Sequence, residues 1–134
     1  MDQGMSSNVN KKVQLDLETI LAAVEQSPSI VMITDTDGII EYVNPRFTAV
    51  TGYTREEAMG RDPGFLKSGT MESRVYRELW RSLENGEHWH GELCNRQKSG
   101  KIYWESAAFS AIKDSDGNVL HYMKVAEDIT ERKK

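Results

Sequence analysis

Residues 88–128 read HWHGELCNRQKSGKIYWESAAFSAIKDSDGNVLHYMKVAED. This segment alternates runs rich in β-branched and aromatic residues with short clusters of Lys, Ser, Asp and Gly, a pattern typical of strands joined by turns. It therefore predicts three consecutive antiparallel strands, which are 88–97, 101–112 and 118–128.

The preceding sequence predicts the rest of an α+β fold. Two β-rich runs, 30–35 and 39–44, flank an Asp-Gly turn and form a hairpin. Short helices follow within 45–60, and Thr54 and Glu57 have the spacing of a capping box at the start of the second one. A longer helix at 71–87 carries apolar residues every four positions. We expect a five-stranded antiparallel sheet with the short helices and the longer helix on one face, plus an N-terminal amphipathic helix.

The chain divides into four segments by composition. Residues 1–12 are polar and predict a disordered leader, and 13–27 predict the amphipathic helix, because Val13, Leu17, Ile20 and Val24 recur at helical spacing. Its apolar stripe predicts a cap that also forms a homodimer. The core is expected at 28–128, and 129–134 begin a C-terminal helix.

Composition excludes several classes of function. The 134 residues carry 17 basic and 21 acidic side chains, a net charge of −4 without a basic stripe, so nucleic-acid binding is not expected. No apolar run is long enough for membrane insertion. A single cysteine, Cys94, fits a reducing cytoplasm. No catalytic motif or metal cluster is apparent, so we expect no catalytic residues, no metal and no enzymatic activity in this segment.

Four stretches together resemble the PAS domain family, which provides sensory modules to bacterial histidine kinases and cyclic-dinucleotide enzymes. The stretches are ITDTDGIIEYVNPRF, TGYTREEAMGR, NRQKSGKIYW and the closing EDITERKK. The last is similar to the family's C-terminal PAC motif. The resemblance implies that Asp128 and Thr130 form the signal exit toward a covalently linked effector domain, in a longer receptor of a two-component or related system.

Resemblance to flavin-binding light-oxygen-voltage domains bears on the cofactor. Their adduct-forming cysteine is replaced by Pro63, which excludes that photochemistry, and two phosphate-binding arginines are replaced by Gly64 and Trp80, which disfavours FMN. The chain is more similar to the redox-sensing PAS domains of nitrogen-fixation and methane-oxidation sensors, which bind FAD. We therefore expect non-covalent FAD and transmission of its redox state.

The same matching assigns candidate cofactor residues. Asn95, Glu105 and Glu127 are placed at the flavin's pyrimidine edge, and an ionised Glu127 would favour the reduced flavin because a carboxylate only accepts hydrogen bonds. Trp80 or Trp89 would contact the adenine. The remaining candidates are Met32, Thr34, Asn44, Phe47, Phe65, Leu66, Phe109, Met123 and Val125.

Two alternatives remain open. A cofactor-free PAS domain would serve as a dimerisation or small-ligand module, with its apolar pocket closed or filled by a metabolite. Haem is disfavoured because the helix at 71–87 contains no histidine, which leaves His121, predicted to face the pocket, as the sole fallback.

Overall fold

The computed structural model describes residues 16–133. The predicted leader at 1–12 and the first residues of the N-terminal helix lie outside the described residues. Within 16–133, no helix has the length and apolar character that crossing a membrane requires.

The predicted five-stranded antiparallel sheet is confirmed. Its strands, in the spatial order β2-β1-β5-β4-β3, place β5 at the centre. Every neighbouring pair is antiparallel. The inner face of β5 therefore lies in the middle of the domain. The strands are β1 (Ile30–Thr34), β2 (Ile40–Val43), β3 (Trp89–Arg96), β4 (Ile102–Lys113) and β5 (Val119–Asp128).

Helices connect and flank these strands. The N-terminal helix α1 covers 16–25 of the described residues. At α3 the predicted capping box is present, since the Thr54 hydroxyl accepts from Glu57 N–H and the Glu57 carboxylate accepts from Thr54 N–H. The others are α2 (Pro45–Thr51), α3 (Arg55–Ala58), a 3₁₀ helix (Pro63–Leu66), α4 (Ser73–Glu84) and α5 (Thr130–Lys133).

The loop 60–69 combines turn-forming residues with the apolar pair Phe65–Leu66, and the structure explains why. Leu66 is buried in the core between sheet and helices. The Phe65 ring meets the Tyr53 ring edge-on with 4.8 Å between centroids, and the Arg61 guanidinium lies 4.0 Å from its centroid. The pair therefore anchors an otherwise irregular segment to the core.

A β-bulge corrects the predicted faces of β5. Lys113 pairs with Val119 but Ile112 pairs with His121, so Leu120 is the extra residue on β5. A one-residue shift exchanges the two faces of a strand. Val119 packs against the core, and beyond the bulge the buried residues are Tyr122, Lys124 and Ala126. The prediction that His121, Met123, Val125 and Glu127 face inward is therefore wrong.

Candidate functional site

A cavity of about 130 Å³ lies between the inner face of the sheet, the 3₁₀ helix and α4. Its walls combine apolar and aromatic side chains with a small polar group from β3, β4 and β5. The cavity is lined by Met32, Asp62, Pro63, Gly64, Leu66, Lys67, Tyr76, Leu79, Trp80, Leu93, Asn95, Glu105, Phe109 and Lys124, of which Asp62 and Lys67 are exposed.

The polar part of the cavity is built around an ion pair. Glu105 is 0% exposed and Lys124 is 5% exposed, and the Lys124 ammonium contacts Glu105 Oε1. Asn95 Nδ2 donates to the same oxygen at 2.7 Å. Two donors thus converge on Oε1, and the opposite charges compensate each other where water is excluded.

Two buried polar atoms of this wall have no hydrogen-bond partner within 16–133. They are Glu105 Oε2 and the Tyr76 hydroxyl oxygen. Burial, reinforced by the negative charge of Glu105, raises the pKa of Tyr76 above its usual value, so its hydroxyl stays protonated at neutral pH. Buried polar groups are ordinarily paired, so the cavity presents unused capacity for hydrogen bonding.

Two aromatic side chains of the cavity wall, Trp80 and Phe109, are positioned by contacts with neighbouring residues. The Trp80 ring packs against Tyr122 at 5.7 Å and lies over Gly38, where a Cβ would come within 2.8 Å of the ring. Gly38 also has φ of +85°, which L side chains rarely adopt. Phe109 lies on β4 directly opposite Lys124, with 5.8 Å between the ammonium and the ring centroid.

Six of the predicted cofactor-binding residues line the cavity. Leu66, Trp80, Phe109 and the polar pair Asn95 and Glu105 line the cavity with Met32. Thr34 and Met123 are not part of that lining and instead line an adjoining pocket of about 20 Å³.

Several other predicted cofactor residues lie elsewhere. Phe47 is packed in the core, and Phe65 packs against Tyr53 outside the lining of the cavity. Trp89 folds over Gly91 and meets Phe109 edge-on at 5.9 Å, so its ring also lies outside that lining.

Asn44 is a structural residue rather than a cavity residue. Its Oδ1 accepts from the N–H groups of Val31 at 3.0 Å and Phe47 at 3.2 Å, the second capping α2. Its Nδ2 donates to the carbonyls of Val24 at 3.1 Å and Ser29 at 2.9 Å. Asn44 therefore joins the end of α1, the start of β1 and the start of α2.

Because of the bulge in β5, the predicted cofactor residues Val125 and Glu127, and the possible haem ligand His121, do not line the cavity. Val125 and Glu127 lie on the outer face of the sheet, and Glu127 is exposed. His121 Nδ1 lies 2.8 Å from Glu41 Oε1 on β2 rather than in the cavity. Among the described residues, no group of three or more His, Cys, Asp or Glu is placed to hold a metal ion.

Lys124 is the functional candidate that sequence reasoning missed. A lysine in a strand is ordinarily exposed, and simple alternation assigned it to the outer face. The available signal was that Tyr122 and Ala126, its neighbours at i−2 and i+2, are compatible with a core face.

The end of β5 is tied to β4 beside the cavity. Glu105 lies directly opposite Asp128, and the preceding residue, Trp104, donates its backbone N–H to Thr130 Oγ1 at 3.0 Å. Asp128 Oδ1 accepts from the Thr130 hydroxyl at 2.6 Å. The Lys133 ammonium lies 4.6 Å from the Trp104 ring centroid, so this ring contacts α5.

Comparisons with known proteins agree with this architecture. A family model described as "PAS domain" matches residues 28–131. The chain is 29% identical over 107 residues to the nitrogen fixation regulatory protein of Klebsiella pneumoniae, covering 80% of this chain and 22% of that protein. It is 33% identical over 110 residues to the biofilm dispersion protein BdlA of Pseudomonas aeruginosa, covering 81% and 26%.

A solved structure agrees on the fold. The PAS domain of a protein from Colwellia psychrerythraea superposes with a TM-score of 0.80 at 24% identity, covering 87% of this chain and 98% of that one. The chain thus spans about a quarter or less of the curated relatives above but nearly all of an isolated domain. With its sheet order, its C-terminal motif and a family model matched over most of its length, the chain belongs to the PAS domain family.

Proposed function

We propose that this chain is a sensory domain that reports the occupancy of its central cavity to a linked effector domain. The observation that carries the proposal is the position of Glu105. Its side chain forms part of the cavity wall, while its backbone lies opposite Asp128 at the end of β5. A ligand that moves Glu105 or Lys124 therefore acts on the two strands that hold the exit.

The route from the cavity to α5 is short. Trp104 N–H holds the Thr130 hydroxyl, and Trp104 C=O accepts from Ile129 N–H at 2.9 Å. Because Trp104 is covalently next to Glu105, a shift of β4 at the cavity reaches both bonds without an intervening loop. Only the first bond uses a side chain, which makes it accessible to substitution.

Replacing Thr130 with Val is expected to uncouple the exit from the cavity. Valine keeps the shape of threonine but removes the acceptor for Trp104 N–H and the donor to Asp128. In two-dimensional ¹H–¹⁵N NMR titrations with toluene, phenol and 2-pyridone, a probe that enters the wild-type cavity should shift amides at 105–107, 124–126 and 129–133. In the variant the shifts at 129–133 should fall at least several-fold while the others persist.

A matched control is Ser115→Ala, which removes a hydroxyl from the exposed turn that follows β4, at the opposite end of that strand from Trp104. This variant should respond like the wild type. The proposal is contradicted if no probe perturbs the cavity strands, or if Thr130→Val leaves the response of 129–133 intact.

FAD is a candidate ligand because the chain resembles redox sensors and because Asn95 and Glu105 lie side by side in the cavity wall. The residues present do not fit a flavin. A cavity of about 130 Å³ is well below the roughly 300 Å³ at the lower end for ligands of that size. Lys124 lines the cavity and is paired with Glu105, while Glu127, the predicted redox-responsive carboxylate, is exposed on the outer face of the sheet.

The proposed partners rest on the similarity of this chain to segments of longer proteins. We propose a histidine kinase or a cyclic-dinucleotide enzyme as the linked effector, acting in a reducing cytoplasm. We also propose homodimerisation through α1, because Leu17, Ile20 and Leu21 on this helix are 71%, 58% and 65% exposed. Covering such a stripe in a dimer is a common way to remove it from water.

A further inference from the structure

We propose that the cavity selects a small, neutral, single-ring molecule whose N–H group lies beside a carbonyl, such as a cyclic amide. This inference rests on the proposed function and names the class of ligand for the same site. It follows from the size of the cavity, its compensated charge and the two unpaired polar atoms in its wall.

Size limits the ligand to one ring. A dry apolar cavity of about 150 Å³ accommodates benzene, and this cavity measures about 130 Å³. Its two aromatic walls, Trp80 and Phe109, suit a flat molecule, since offset and edge-on ring contacts are favourable.

Charge limits the ligand to a neutral molecule. Glu105 and Lys124 already neutralise each other, and the exposed lining residues Asp62 and Lys67 add one charge of each sign. An added anion or cation would therefore bring an uncompensated charge next to the buried pair. A carboxylate ligand would compete with Glu105 for Lys124, and an ammonium ligand would compete with Lys124 for Glu105. A neutral ligand avoids both conflicts.

Hydrogen-bonding capacity sets the pattern of donor and acceptor. Glu105 Oε2 accepts no hydrogen bond within 16–133 and, as a carboxylate oxygen, requires a donor. The Lys124 ammonium has three N–H donors and contacts Glu105 through one oxygen, so it can also donate to a ligand carbonyl. The Tyr76 hydroxyl offers a further donor on the α4 side. An N–H next to a C=O on one ring edge satisfies the first two groups together.

The test compares 2-pyridone with N-methyl-2-pyridone by ¹H–¹⁵N NMR titration of the wild-type chain. The two rings share the carbonyl, but the methyl group removes the N–H donor. We expect 2-pyridone to bind at least about tenfold more tightly, because a hydrogen bond to a buried charged acceptor is lost in the methylated ring. Equal affinities, or tighter binding of the methylated ring, would overturn the inference.

A double variant tests whether Glu105 and Lys124 cause the preference for 2-pyridone. In the double variant Lys124→Met/Glu105→Gln, in which neutral groups replace both charges, the preference for 2-pyridone should shrink to less than about threefold, because the charged acceptor is gone. A preference that stays at tenfold would place the N–H contact elsewhere and overturn the inference.

Toluene separates this inference from the proposed function. If toluene shifts the amides of the cavity strands and of 129–133 while 2-pyridone shifts neither, the ligand class is wrong and the sensory function stands. If 2-pyridone binds with the expected preference but leaves 129–133 unchanged, the ligand class stands and the proposed coupling to the exit fails.

Discussion

Replacing Lys124 with Met is expected to lower the free energy of unfolding by about 3–5 kcal/mol, because it leaves the Glu105 carboxylate buried without a compensating charge. Methionine approximates the length and volume of the lysine stem, so the effect reports the charge and not a new cavity. Chemical denaturation monitored by tryptophan fluorescence measures this change in the free energy of unfolding. Against a typical domain stability of about 5–15 kcal/mol, such a loss is large.

Two further variants identify the cause. Adding Glu105→Gln to Lys124→Met should recover most of the lost stability, because neutral groups replace both charges and Asn95 keeps an acceptor. Lys98→Met is the matched control. Its ion pair with Glu57 spans 2.6 Å between side chains that are 53% and 34% exposed, and solvent-accessible pairs contribute about 0–1 kcal/mol. If Lys124→Met were as mild as Lys98→Met, the ion pair would not lie in the interior.

Replacing Asn44 with Ala is expected to destabilise the fold by about 2–4 kcal/mol, because one side chain that is 1% exposed satisfies four backbone groups. Hydrogen exchange should accelerate most at the end of α1 and the start of α2, where the lost bonds lie. The measurements are denaturant unfolding and exchange detected by mass spectrometry.

The control for this prediction is Asn118→Ala in the exposed turn before β5. Its side chain donates to Asp114 Oδ2 at 3.3 Å, and backbone N–H groups continue to hold that carboxylate. We expect a change within about 0.5 kcal/mol. An effect of Asn44→Ala as small as this would show that Asn44 does not organise the N-terminal part of the domain.

Much of the fold is encoded locally and was predictable. Apolar periodicity and turn residues located the strands and α4 to within a few residues, and the Thr54–Glu57 spacing predicted a capping box that is present. On β4 a period of two residues predicts that Glu105 shares a face with Tyr103 and Ala107, and all three are buried. These features depend on neighbours in sequence, which is why the sequence reveals them.

The candidate site was only partly predictable because its faces depend on register. Asn95 and Glu105 were found, but the bulge at Leu120 exchanges the faces of β5 and brings Lys124 inward in place of Glu127. A bulge changes side-chain direction without a strong local signature when no glycine marks it. Asn44 was misassigned for a related reason, since its four partners come from three segments brought together only by folding.

If the Lys124–Glu105 pair decides what the cavity admits, the chain should not bind a flavin, and the absorption spectrum of the freshly purified chain is the direct test. After incubation with excess FAD and removal of unbound cofactor, we expect no flavin bands in the visible region, with or without dithionite. Bands that copurify or persist after this treatment, and that bleach on reduction, would show that a flavin enters the cavity in spite of the pair and that the pair does not control access.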